Sequence, residues 1–235
     1  MRSIQQLLSI GLFALSSTII LAQVESLELK TFDQIDVAAG VEVSIAEGSP
    51  RAEINLIRGN RDDLIVEVSG GELTIKFKSK NWGLASGNNN RKAKVKVYTS
   101  PNIRSVQASS GASIYSDLMF VADKFEADAS SGASVDIGVE AGAVDVEASS
   151  GASLSIDGAA KYLEAGASSG ASLNAKKLKA KSVEAEASSG ASVKVWATDD
   201  IEASASSGAS IRYKGDPSNT DLSPSKYSGG SISKM

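Results

Sequence analysis

The pentapeptide Ser-Ser-Gly-Ala-Ser occurs six times in the second half of this chain, beginning at Ser109, Ser130, Ser149, Ser168, Ser188 and Ser206. Successive copies lie 21, 19, 19, 20 and 18 residues apart. A near-constant period of this size points to a solenoid, because a repeat this short cannot bury an apolar face alone and must stack on its neighbours. After each glycine comes a period-two alternation such as Ala133-Ser134-Val135-Asp136-Ile137, and later a second, as in Val144-Asp145-Val146-Glu147-Ala148. Such alternation is a strand pattern, with the aliphatic residues on one face and Ser, Asp and Glu on the other. No 3.6-residue period competes with it, so the chain reads as an all-β solenoid. Two or three short strands in about 19–20 residues suit one coil of a parallel β-helix, each strand pairing with its equivalent about 4.8 Å above and below. The inward alanines predict a narrow interior, and the glycine predicts a corner with positive φ. The serines are expected to stack in columns and hydrogen-bond along the stack. Variable turns containing Gly138, Gly142, Gly158 or Lys176-Lys177 are expected inside the coils.

The repeat fades toward both ends. Ala38-Ala39-Gly40, between Ile35-Asp36-Val37 and Val41 to Ile45, reads as a worn copy of the corner, and Ser69-Gly70-Gly71-Glu72 between two apolar runs signals a hairpin. Ser228-Gly229-Gly230-Ser231-Ile232 reads as a degenerate final coil, with Pro217 and Pro224 in the connecting loop. Met1-Arg2, the apolar run Leu7 to Leu21 and Ala22-Gln23 have the form of a secretory signal peptide, too short for a membrane span. The expected organisation is therefore a signal peptide at 1–22, an irregular β-rich part at 23–108, regular coils at 109–213 and a cap at 214–235. Removing the signal leaves 213 of the 235 residues with no transmembrane span, bound for the periplasm, the outer-membrane surface or the exterior.

Composition narrows the chemistry. The chain has no Cys, so no disulfide holds it, and no His, which removes the commonest general base and metal ligand. Ser-His-Asp and Cys-His arrangements are thereby impossible. Residues 23–108 carry 12 basic and 11 acidic groups, whereas 109–213 carry 8 and 15. An acidic solenoid argues against a nucleic-acid partner.

Phe32-Asp33-Gln34-Ile35-Asp36-Val37-Ala38-Ala39-Gly40-Val41-Glu42-Val43, then Leu73-Thr74-Ile75, then Pro101-Asn102-Ile103 ahead of the repeated Ser-Gly-Ala-Ser resemble the bacterial putative auto-transporter adhesin, head GIN domain family. The resemblance covers nearly the whole mature chain. Val41-Glu42 stands where the family's name-giving motif has Ile-Asn. The resemblance implies a right-handed parallel β-helix and a secreted or cell-envelope location, and it brings no catalytic residues.

Two charged constellations are candidate sites. Glu126, Asp145, Glu164, Glu184 and Glu202 each follow the large inward residue of their coil and are expected to stack outward in a column, with Asp128, Glu147 and Glu186 in a second, gapped one. Stacked carboxylates are either a Ca²⁺-binding face or a solvated acidic face. The second reading is preferred, because calcium loops draw ligands from several directions and Asp-x-Asp-x-Gly patterns are missing. No other cofactor is expected. Lys76, Lys78 and Lys80 alternate on one strand and Lys92, Lys94 and Lys96 on the next, with Trp82 between them. If those strands pair, six lysines share one face beside an aromatic ring, suited to an acidic polysaccharide or lipid head groups. The competing role is edge protection. Trp196 is expected to pack at a coil turn.

The function expected from these features is an exported, non-enzymatic surface-binding module for a glycan or another envelope component. The alternative is a carbohydrate-active enzyme, a polysaccharide lyase or hydrolase, by analogy of fold alone. A groove with convergent acids and a basic residue would favour the enzyme.

Overall fold

The computed structural model describes residues 24–78, 91–225 and 228–235. Its regular part is built from the corner outward. In Ser130-Ser131-Gly132-Ala133 the two central residues have φ of 51° and 72°, and the Ala133 N–H donates to the Ser130 carbonyl over 3.0 Å. Two consecutive left-handed residues closed by this bond resemble a type I′ turn, the tightest reversal available to a twisted strand. All six copies repeat it. The serine before each glycine is therefore left-handed too, a conformation costing an L-residue about 1–2 kcal/mol. Each corner also joins the next: the Gly132 N–H donates to the Ser150 carbonyl over 3.1 Å. The ladder along the stack thus runs through backbone groups even at the corners. The serines do form columns (Ser134 opposite Ser153, Ser153 opposite Ser172), but no hydroxyl–hydroxyl bond links them among the described residues. Backbone amides already satisfy one another there, so the hydroxyls are left to solvent.

Between corners the chain forms long bent strands: β9 (Ser113–Ala129), β10 (Ser134–Ala148), β11 (Ser153–Ala167), β12 (Ser172–Ala187) and β13 (Ser192–Ala205). Between β10 and β11 pairing continues through the expected turns at Gly138 and Gly158, so those coils bend without a shift of register, whereas β12 carries four residues, Ala175 to Leu178, where β13 carries one. The early parts of these strands stack as one wall and the late parts as another. Residues beside the corner are alanines on both walls, such as Ala129 and Ala133, 2% and 1% exposed, because the walls meet there. Away from the corner the interior widens to take Phe125, Val144, Leu163, Val183 and Ile201, all buried. Each such aliphatic side chain contributes about 1.5–3 kcal/mol through burial.

The N-terminal strands are β1 (Glu25–Glu28), β2 (Gln34–Val37), β3 (Glu42–Glu47), β4 (Arg51–Arg58), β5 (Leu64–Ser69), β6 (Glu72–Phe77), β7 (Lys92–Thr99) and β8 (Ser105–Ala108). Ala39 and Gly40, at φ of 59° and 72°, repeat the corner between β2 and β3. Stacking order here departs from chain order. β6 pairs outside β2 and β7 outside β3, both in parallel, so the β6–β7 coil lies beyond the β2–β3 coil. Antiparallel strands finish this end, β5 on β6 and the pair β4 and β1 on β7. At the other end β14 (Ser210–Lys214) and β16 (Ser231–Lys234) extend one wall. The segment expected as a loop between Pro217 and Pro224 contains a strand, β15 (Asn219–Pro224), which pairs with β13. As an edge strand it tolerates the missing N–H of Pro224. The result is a β-solenoid of about seven turns. Among the described residues no helix is long and apolar enough to cross a membrane.

Candidate functional site

The pairing register places the carboxylates directly. Glu126, Asp145, Glu164, Glu184 and Glu202 are opposite one another in successive coils, and Asp221 of β15 adds a sixth member. Asp221 escapes the sequence pattern because it lies between two prolines and outside the Ser-Gly repeat. Beside this column run Asp128, Glu147, Gly166 and Glu186, with the gap at Gly166. Repulsion from Asp145, followed by burial and Glu184, raises the Glu164 pKa above its ordinary value. Burial first and Glu147 second do the same to Asp128. Lys124 relieves one end, donating to Glu126 over 2.6 Å. Like-charged neighbours in facing positions destabilise a sheet. Among the described residues, no three or more acidic, Cys or His side chains form a group able to hold a metal ion. The acids stand in rows pointing outward rather than around a common centre.

The lysines are divided. β6 and β7 belong to different walls and do not pair with each other, so the condition for one six-lysine face is not met. The reason is the pairing: β6 joins the wall of β2 and β7 the wall of β3. Lys76 sits 3.9 Å from Asp36, whose pKa is raised by burial despite that neighbour. Lys94 donates to Glu42 over 2.7 Å, and the Lys96 ammonium lies 5.0 Å from the Tyr98 ring centre. Lys78 and Lys92 are exposed, while Lys80 and Trp82 lie outside the described residues. Trp196 stands half-buried on the outward side of β13, directly after the register shift against β12, with Lys214 at 3.7 Å and Lys179 at 5.8 Å from its ring centre. Its π face is already occupied by cations.

The register of the stack shifts at several internal turns, and the shift between β9 and β10 is the one that opens a depression beside an exposed aromatic ring. Tyr115 faces Asp136 and Met119 faces Gly138, so β9 spends three residues, Ser116 to Leu118, where β10 spends one. This bulge accounts for the 21-residue first period, a signal in the spacing that pattern reading passed over. Ser116 pins it: its hydroxyl accepts from the Leu118 N–H at 3.1 Å and donates to the Leu118 carbonyl at 3.0 Å. Phe120 stacks on Phe125 beneath, ring centres 5.8 Å apart. Outside, a depression of about 290 Å³ opens between Tyr115, Asp117, Met119, Asp136, Asp157 and Lys177. Gly138 forms part of it, since a Cβ there would lie 3.0 Å from both Met119 and the Asp157 carboxylate. On the other side of Tyr115 a second depression, about 570 Å³, reaches Ser44, Glu42 and Lys94.

The profile of the putative auto-transporter adhesin, head GIN domain family matches residues 31–217. The chain belongs to this family. Solved structures support the fold. A putative adhesin from Bacteroides fragilis superposes with a TM-score of 0.75 at 18% identity, covering 91% of this chain and 96% of the other. A putative adhesin from Parabacteroides merdae gives 0.67 at 19%, covering 91% and 95%. A protein titled putative lipid binding protein, from Parabacteroides distasonis, gives 0.63 at 17%, covering 91% and 96%. No curated protein matches the chain. This head GIN domain protein thus shares its solenoid with proteins named as adhesins.

Proposed function

We propose that the protein is an exported, non-enzymatic surface-binding solenoid that acts as an adhesin, holding a glycan or another envelope component. The observation that carries this reading is repetition in register: outward residues recur at the same position of six successive coils, a display suited to an extended partner rather than a single reacting bond. The names of the family and its structural relatives agree. A second reading, a polysaccharide hydrolase or lyase, draws on the depression holding Asp117, Asp136, Asp157 and Lys177. Glycoside hydrolysis needs an acid and a base or nucleophile on either side of a held bond. Here the walls are single side chains and a short bulge, so little would hold a sugar distorted or exclude water.

Beads coated with residues 23–235 should be retained on glycan-bearing surfaces, and the chain incubated with the same polysaccharides should release no new reducing or unsaturated ends. Absence of retention removes the adhesive reading, and product formation replaces it with the enzymatic one. Surface proteolysis of whole cells should degrade the chain if it is displayed outside, whereas recovery in the cytoplasmic fraction would contradict export.

A further inference from the structure

We infer that the groove centred on Tyr115 is the glycan subsite of this protein and that it takes an uncharged pyranose unit. The inference rests on the surface-binding reading and places it at one address. Tyr115 is 49% exposed, and its partners across the wall are Ser44 on one side and Asp136 on the other, neither large enough to cover a phenol ring. The ring therefore stands as a ridge between the depressions of about 290 and 570 Å³, sizes at the lower end and middle of small-ligand sites. An aromatic side chain pairs broad apolar area with a polar tip, and the C–H face of a pyranose ring packs against such a surface. The Tyr115 hydroxyl donates to Asp117 Oδ1, which fixes the ring over the bulge without ordering a further residue.

The charge selects the ligand. Asp117, Asp136 and Asp157 line the smaller depression with one cation, Lys177. In the larger one Lys94 is already engaged by Glu42. The groove is therefore net negative and would repel uronic, sialylated or phosphorylated units. Carboxylates accept hydrogen bonds from hydroxyls, and charge-assisted bonds of this kind are the stronger ones. A neutral sugar offers those donors at no cost in repulsion. The carboxylate column has an exposed ring of its own, Tyr162, two residues before Glu164, but it faces Ala143 and Ser182 on an unshifted stretch of the wall, without the bulge that sets Tyr115 between two depressions. At Trp196, lysines occupy the ring.

The test is calorimetric titration of residues 23–235 with short neutral oligosaccharides bearing glucose, galactose, mannose or N-acetylhexosamine ends, alongside an oligogalacturonate. We expect saturable binding of at least one neutral oligosaccharide and none of the acidic one. Tyr115→Ala should weaken that binding by about tenfold or more, and Asp136→Asn by a smaller factor, while Glu164→Gln stays within about twofold of wild type. Tyr115 and Asp136 are exposed, so circular dichroism should show both variants folded. Neutral binding unaffected by Tyr115→Ala, or preference for the acidic oligosaccharide, overturns the groove assignment and leaves the adhesive reading standing on another face. Lack of binding to every neutral oligosaccharide at millimolar concentration also overturns the groove assignment. If coated beads are then retained nowhere, the adhesive reading falls as well.

Discussion

At the residue scale the corner sets the architecture, and its cost is conformational. A Cβ on Gly132 would meet nothing within 4 Å, so Gly132→Ala tests backbone preference without a clash. With φ at 72°, the substitution should destabilise the protein by about 1–2 kcal/mol in urea denaturation. Ser131, left-handed at 51°, should respond in the opposite direction: Ser131→Asn places there a residue that tolerates this region and favours type I′ turns, raising the midpoint slightly. Gly166 differs from both, since no positive φ marks it and its Cβ would make only a 3.8 Å contact with Glu147. Gly166→Ala should therefore stabilise by about 0.4–1 kcal/mol, chiefly by restricting the unfolded chain.

At the element scale the carboxylate column has a defined pH signature. Glu164 and Asp128 have pKa values raised in the folded protein, so the native state binds their protons more tightly than the unfolded chain does. The cost of charging them, burial first at Asp128 and repulsion from Asp145 first at Glu164, is then fully present at neutral pH and is relieved as pH falls through the folded pKa values toward the ordinary carboxylate range near pH 4. Glu164→Gln should raise stability at pH 7 by about 0.5–1 kcal/mol, an advantage that shrinks as pH approaches about 4 and as salt screens the column. A variant equally stabilised at both pH values, or destabilised at pH 7, would contradict the repulsive account. The same column shows how far the elements could be read in advance. Period-two alternation with a fixed glycine sets both strand phase and coil register, so five stacked acids follow from spacing alone. Asp221 did not follow, because β15 has neither corner nor alternation, and its place comes from pairing with β13. The lysines failed for a different reason. Lys76 and Lys94 are neighbours in pattern, but β6 and β7 rise in opposite walls, and local alternation carries no information about which wall a strand joins.

At the scale of the whole molecule, stacked coils contact chiefly their neighbours, and stability should be nearly a sum of coil and interface contributions. Deleting Ser188 to Ala205 removes one 18-residue period and joins Ala187 to Ser206, the equivalent of the Ser188 that it replaces. That variant should remain folded with the same β-rich circular dichroism and a lower unfolding midpoint, whereas a half-period deletion would turn apolar residues outward and abolish folding. The solenoid was legible in the six corners. The groove was not, because it arises where β9 carries two residues more than its neighbour, and an irregular period says only that something bulges. The most direct test of the account is a crystal structure of the chain with a neutral oligosaccharide that it binds. The sugar should lie across Tyr115, uncleaved, with hydroxyls on Asp117 or Asp136. A sugar bound along the carboxylate column, or cleaved in the groove, would contradict it.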